Sequence, residues 1–153
     1  MQSSLLIEEE LAVPDPLAEW RWKLGGAAKI VALSRSGDAF VAELDGKIWW
    51  LDTGAGELRE VAPSAPAFFQ LLEQSASAAR LLLTPVVEEF VRVHGPIPEG
   101  KCLGFTQLPV LGGSYSVENR WLAPAVEHFR LTGELHRQIR DLPDGTRVNI
   151  RIQ

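Results

Sequence analysis

Three histidines and one cysteine are the residues of this chain best suited to chemistry: His94, His128, His136 and Cys102. A thiol beside an imidazole would supply a nucleophile and its general base. Cys102, however, sits in Lys101-Cys102-Leu103-Gly104-Phe105, a run that reads as a short strand. A cysteine without a local catalytic signature behaves as a small buried apolar residue. His128 and His136 stand eight positions apart, beyond the i, i+4 spacing that brings two imidazoles to one metal ion. Arg130, Arg137 and Arg140 add positive charge that would repel a cation. Gly54-Ala55-Gly56 joins two strand-like runs and offers no helix amino terminus to a phosphate. Leu111-Gly112-Gly113 has no following lysine. Gly112 and Gly113 read instead as a structural turn, with a backbone closed to other residues or packed closely on the sheet. Glu88, Glu89 and Glu118 have no partner across a cleft that spacing reveals, so a solvated face is their default. The expectation is a protein with no catalytic residues, no metal and no cofactor.

The elements that would position these residues follow from local pattern. Asp15-Pro16 starts a helix with Leu17, Trp20 and Leu24 on one face, and Gly25-Gly26 ends it. Ile30–Leu33 is a first strand. Ala39–Asp52 is a hairpin about Asp45-Gly46, for which a two-residue type I′ turn is expected. In that register Leu44 faces Lys47, Ala42 faces Trp49 and Phe40 faces Leu51 on a core side. Glu43 then faces Ile48, and Val41 faces Trp50, on a side that a helix covers or that stays partly open. Glu57–Val61 adds a third antiparallel strand to this hairpin. Ser64 caps a helix through Phe68, Leu71 and Leu72, and Thr84-Pro85 opens another that Gly95-Pro96 stops. Cys102–Phe105 is a strand, and a closing helix spans about Ala123–Leu142 with Pro124 near its start. A last strand alternates Val148, Ile150 and Ile152 with arginines and an asparagine. Strands first and helices later predict an α+β domain, an antiparallel sheet packed with helices.

At 153 residues the chain suits a single domain with one shared core. Its hydrophobic fraction of 46% excludes the disordered class, and no apolar run is long enough to span a membrane. The amino terminus turns acidic at Glu8-Glu9-Glu10 and lacks a signal-peptide pattern, while a lone cysteine permits no internal disulfide. A cytoplasmic location is the expectation. Residues 1–65 hold eleven acidic side chains against six basic ones, whereas 120–153 hold six arginines against four acids. The acidic half argues against nucleic acid as ligand and suits a basic protein partner.

Residues 99–142 run from Glu-Gly-Lys-Cys-Leu-Gly-Phe through Leu111-Gly112-Gly113 and Val117-Glu118-Asn119 to His136-Arg137-Gln138-Ile139. This order resembles the carboxy-terminal domain of type VI secretion immunity proteins of the GAD-like kind. Gly37-Asp38-Ala39-Phe40, Asp45-Gly46, Leu51-Asp52-Thr53 and the Phe68-Phe69 helix are similar, more weakly, to that family's first half. The resemblance implies a SUKH-like α+β fold, with residues 1–72 as a GAD-like half and 73–153 as the immunity half. It also implies expression beside a cognate toxin, commonly a nuclease or another cytoplasm-acting enzyme, and inhibition by tight binding. The family's interface residues do not carry over. A SUKH-like scaffold or regulatory module that binds a cellular protein is the second reading.

Charge and aromatic placement then suggest a partner-binding face. Among the five tryptophans, Trp20 and Trp49 fall on core phases, and Trp22 and Trp50 fall on the opposite ones. Glu43, Asp45 and Glu57 near Trp50 form the expected acidic face toward a basic toxin, without nucleic acid or membrane. The arginines of the closing helix are the competing face.

Overall fold

The computed structural model describes residues 5–143 and 145–147. Asp15 begins the first element, its carboxylate accepting the Leu17 backbone N–H (3.1 Å) and pairing with Arg21 (2.9 Å). A 3-10 turn, Ala18–Trp20, runs into α1 (Arg21–Leu24), and Gly25 ends it at φ +81°. Leu17, Trp20 and Leu24 are all buried, as their spacing requires.

Four strands form an antiparallel meander in sequence order: β1 (Lys29–Leu33), β2 (Ala39–Ala42), β3 (Ile48–Asp52) and β4 (Glu57–Ala62). The β2–β3 register differs by one residue from the expected one. Phe40 lies opposite Trp50, Val41 opposite Trp49 and Ala42 opposite Ile48. A type I′ turn needs positive φ at both central residues, and of Asp45 and Gly46 only the glycine has it (φ +88°). The chain instead makes a three-residue loop. Glu43 N–H donates to the Lys47 carbonyl (3.0 Å), Gly46 N–H to the Glu43 carbonyl (2.9 Å), and Asp45 Oδ1 accepts Lys47 N–H (3.0 Å). The slip carries Leu44 off the sheet. It is 86% exposed rather than part of the core.

The same slip exchanges the faces of the two hairpin tryptophans, since successive strand residues point to opposite sides. Both faces of the sheet are covered. On one, Phe40, Ile48 and Trp50 pack with Phe68 and Leu72 of α2 (Ala65–Leu72), Leu81 of α3 (Ser75–Leu81), and Val87 and Phe90 of α4 (Thr84–His94). On the other, Ala39, Val41 and Leu51 meet Leu17, Trp20, Cys102 and Phe129. Ser64 caps α2 through its hydroxyl, which accepts Ala67 N–H (3.2 Å). Sequence reading does not find α3, whose Ser-Ala-Ser-Ala-Ala run carries little periodic apolar signal.

The second half adds a two-stranded ribbon of β5 (Lys101–Phe105) and β6 (Arg120–Pro124), followed by α5 (Ala125–Ile139). Ala123 and Pro124 therefore end a strand; the helix expected from about Ala123 starts two residues later. Pairing with β5 decides this, overriding the helix-start signal of Pro124. The architecture is α+β. The expected last strand, with Val148, Ile150 and Ile152, lies outside the described residues.

Candidate functional site

A buried polar seam joins the meander to the second half. Asp38 accepts the Trp50 indole N–H (3.0 Å) and the Thr53 backbone N–H (3.1 Å). The Thr53 hydroxyl donates to the Gly37 carbonyl (2.7 Å). His128 Nε2–H reaches the same carbonyl (2.7 Å) from α5, and His136 Nε2–H donates to the Thr53 carbonyl (2.8 Å). Asp52 accepts the N–H groups of Gly54 (3.0 Å) and Ala55 (3.1 Å), and the Tyr115 hydroxyl (2.9 Å). Arg120 is buried on β6, with its guanidinium over the Phe105 ring (4.0 Å) and donating to the carbonyls of Ser36, Gly104 and Tyr115.

Electrostatics follow from this enclosure. Burial, then the adjacent Asp52 carboxylate, raises the pKa of Asp38. Burial lowers His128 to about 4 and lowers His136, so both imidazoles are neutral near pH 7. Burial pushes the Cys102 thiol up to about 12. Cys102 is thus a protonated core residue, packed with Phe129 and Ala125. His94 is apart from all of these, on the last turn of α4 against the Phe90 ring (4.6 Å). The seam has the residue types of a catalytic site, but each imidazole is held by a backbone carbonyl and enclosed. Its chemistry is that of a clasp.

Residues 63–136 match the family model described as T6SS immunity protein Tdi1, C-terminal. That segment, the immunity segment, is similar to the type VI secretion immunity family. Comparison with curated proteins and with solved structures returns no match. The immunity segment starts just after β4 and takes in α2, α3, α4, the β5–β6 ribbon and most of α5. Tyr115, Arg120, His128 and His136 all lie within it, so its polar side chains clasp the sheet through Ser36, Gly37, Asp52 and Thr53.

The turn inside the immunity segment divides its two glycines by cause. Gly112 takes the left-handed conformation, φ +102°. Gly113 does not; a Cβ there would lie 1.9 Å from the Gln107 carbonyl oxygen and 2.7 Å from Asn119 Nδ2. Close approach, rather than positive φ, is what requires glycine at 113.

The expected acidic face lies outside the immunity segment, and the structure separates its members. Asp45 and Glu57 are exposed, on the hairpin loop and on β4, and Glu43 is half-buried at the base of the loop. Glu60, exposed opposite Trp49 on β4, joins Glu43 and Asp45, whereas Glu57 lies opposite Asp52 on the other face of the strand. Lys47 Nζ sits 3.9 Å from both Asp45 and Glu60, and Arg59 pairs with Glu57. Trp50 is not on this surface. It is 7% exposed, with its indole N–H on Asp38 and the Arg59 guanidinium 5.6 Å over its ring. The one-residue register slip is the reason. Trp22, the other tryptophan assigned to an outward phase, is half-buried, stacks on Trp20 (5.9 Å) and donates to the Gly133 carbonyl (3.1 Å). Leu44 and Glu60 are the residues of this face that sequence reading passed over. Asp45-Gly46 suits the two-residue turn and the three-residue loop with a left-handed glycine alike, so no local signal separated the two.

Proposed function

We propose that this protein binds a cognate secreted toxin in the cytoplasm and neutralises it by covering the toxin's working surface, without chemistry of its own. The match of residues 63–136 to the immunity family carries this reading. The environments of the reactive groups support it. Cys102 is held protonated by burial, and His128 and His136 are neutral donors to backbone carbonyls. The toxin is a basic protein, a nuclease or another cytoplasm-acting enzyme, and it meets the loop end of the hairpin, where Glu43, Asp45 and Glu60 lie about Lys47. Three carboxylates against Lys47 leave that end net negative, which speeds encounter with a positive partner. Trp50 acts from beneath, fixing Arg59 and Asp38, and makes no contact with the partner.

Co-expression with the product of an adjoining toxin-like reading frame tests the reading. The two chains are expected to co-purify as a stable complex, with the toxin inactive. Separate elution with the toxin fully active would overturn it and leave the SUKH-like scaffold as the better account.

A further inference from the structure

The β2–β3 loop presents a large apolar side chain where nothing in the fold uses it. Leu44 is 86% exposed, against 48% for Trp121 and 43% for Phe69 among the exposed large apolar residues. The turn of the loop faces open space. A Cβ placed on Gly46 would have no neighbour within 4 Å. Yet three hydrogen bonds brace it: Glu43 N–H to Lys47, Gly46 N–H to Glu43, and Lys47 N–H to the Asp45 carboxylate. A braced loop loses little freedom on binding, which is the condition for an efficient anchor. The side chains beside Leu44 are Glu43 and Asp45, with Lys47 and Glu60 behind.

A convex apolar tip is not complemented by a flat surface; it buries its area only inside a concavity. Carboxylates on the rim select a concavity lined with cations. Resting on the toxin-binding reading above, we propose that Leu44 is a plug that enters the substrate cleft of the basic toxin. Glu43 and Asp45 then meet the cationic groups at the cleft's mouth. Leu44 takes the anchoring role that the sequence assigns to Trp50, and the carboxylates set the rate of approach.

Binding kinetics with the purified toxin from the adjoining reading frame, at low and high salt, test this. Leu44 is outside the core, so Leu44→Ala and Leu44→Arg keep the wild-type melting curve. Both are expected to speed dissociation roughly tenfold or more, with association little changed for the alanine. Glu43→Lys with Asp45→Lys is expected to slow association and flatten its salt dependence. Wild-type dissociation rates for both Leu44 variants, with loss of affinity in Trp121→Ala or in Arg137→Ala with Arg140→Ala, would overturn the plug and leave toxin binding standing. No binding by the wild-type protein would overturn the toxin-binding reading itself, and the plug with it.

Discussion

Asp38 and Asp45 stand seven residues apart in the chain and at opposite extremes of environment. Asp38 is buried, and its oxygens accept from Trp50 and Thr53, while His128 and His136 of α5 close over the two loops that meet there, at Gly37 and at Thr53. Asp45 is mostly exposed, with Lys47 3.9 Å away across solvent. The first half's negative charge is therefore two populations. Asp38 braces the loops beneath residues 63–136 and Asp52 accepts the Tyr115 hydroxyl from them, whereas Asp45, Glu57 and Glu60 are exposed. Net charge counts them alike, and only the fold tells them apart.

The two ends of one hairpin give the largest contrast. Phe40→Asp places a carboxylate among Phe68, Trp50 and Ile48, at several kcal/mol unless it finds a partner, and is expected to abolish cooperative unfolding. Leu44→Asp is expected to shift stability by no more than about 0.5 kcal/mol, because its side chain is already in solvent. Denaturant titration of both variants checks the pair. A destabilised Leu44→Asp would restore the two-residue turn.

Carboxylate removal sharpens the comparison. Asp38→Ala strands the Trp50 indole N–H and the Thr53 backbone N–H in the interior, a loss of about 3 kcal/mol or more. Asp45→Ala is expected to cost about 0.5 kcal/mol or less, since the ion pair it breaks is exposed. Chemical denaturation of the two single variants separates these values. Equal losses would mean that Asp45 also belongs to the framework.

Gly113→Ala should cost about 2 kcal/mol by driving a Cβ into the Gln107 carbonyl. Gly112→Ala should cost about 1 kcal/mol, the steric penalty of a left-handed residue. Thermal melts of both rank them, and the reverse order would reassign the strain to φ.

The smallest effect is a pH dependence with opposing parts. His128 is lowered, so its contribution is complete above its ordinary value near 6.5 and is lost as pH falls toward about 4. Asp38 is raised, so its contribution is present at low pH and is lost as pH rises above the ordinary carboxylate range. On acidification from pH 6.5 the two oppose each other, and the wild-type melting temperature is expected to fall by only a few degrees. Asp38→Asn removes the opposing part. Its fall over the same interval should be steeper, and a shallower fall would show that Asp38 does not oppose the histidines.

Much of the framework was readable from local chemistry. Asp45-Gly46, Gly54-Ala55-Gly56 and the cap at Ser64 mark the meander and α2 because turns and caps need those residues on the spot. Register was harder. It turned on whether Asp45 adopts positive φ, and the wrong choice put Leu44 in the core and Trp50 outside. β6 was hidden because Arg120-Trp121-Leu122-Ala123-Pro124 is a strand only by virtue of β5 beside it. The seam was hidden for the same kind of reason. Asp52 and Tyr115 are 63 positions apart and His128 and Gly37 are 91 apart, so no local pattern joins them. The acidic loop was legible, since charge and a turn signal are both local, but its apolar tip was not.

Titration of toxin activity with this protein tests the central claim, neutralisation by binding alone, most directly. The account predicts activity that falls linearly with added protein and vanishes at a fixed stoichiometric ratio, with full recovery of unmodified toxin once the complex is denatured and the chains are separated. Inactivation at sub-stoichiometric amounts, or a toxin that returns chemically altered, would contradict it.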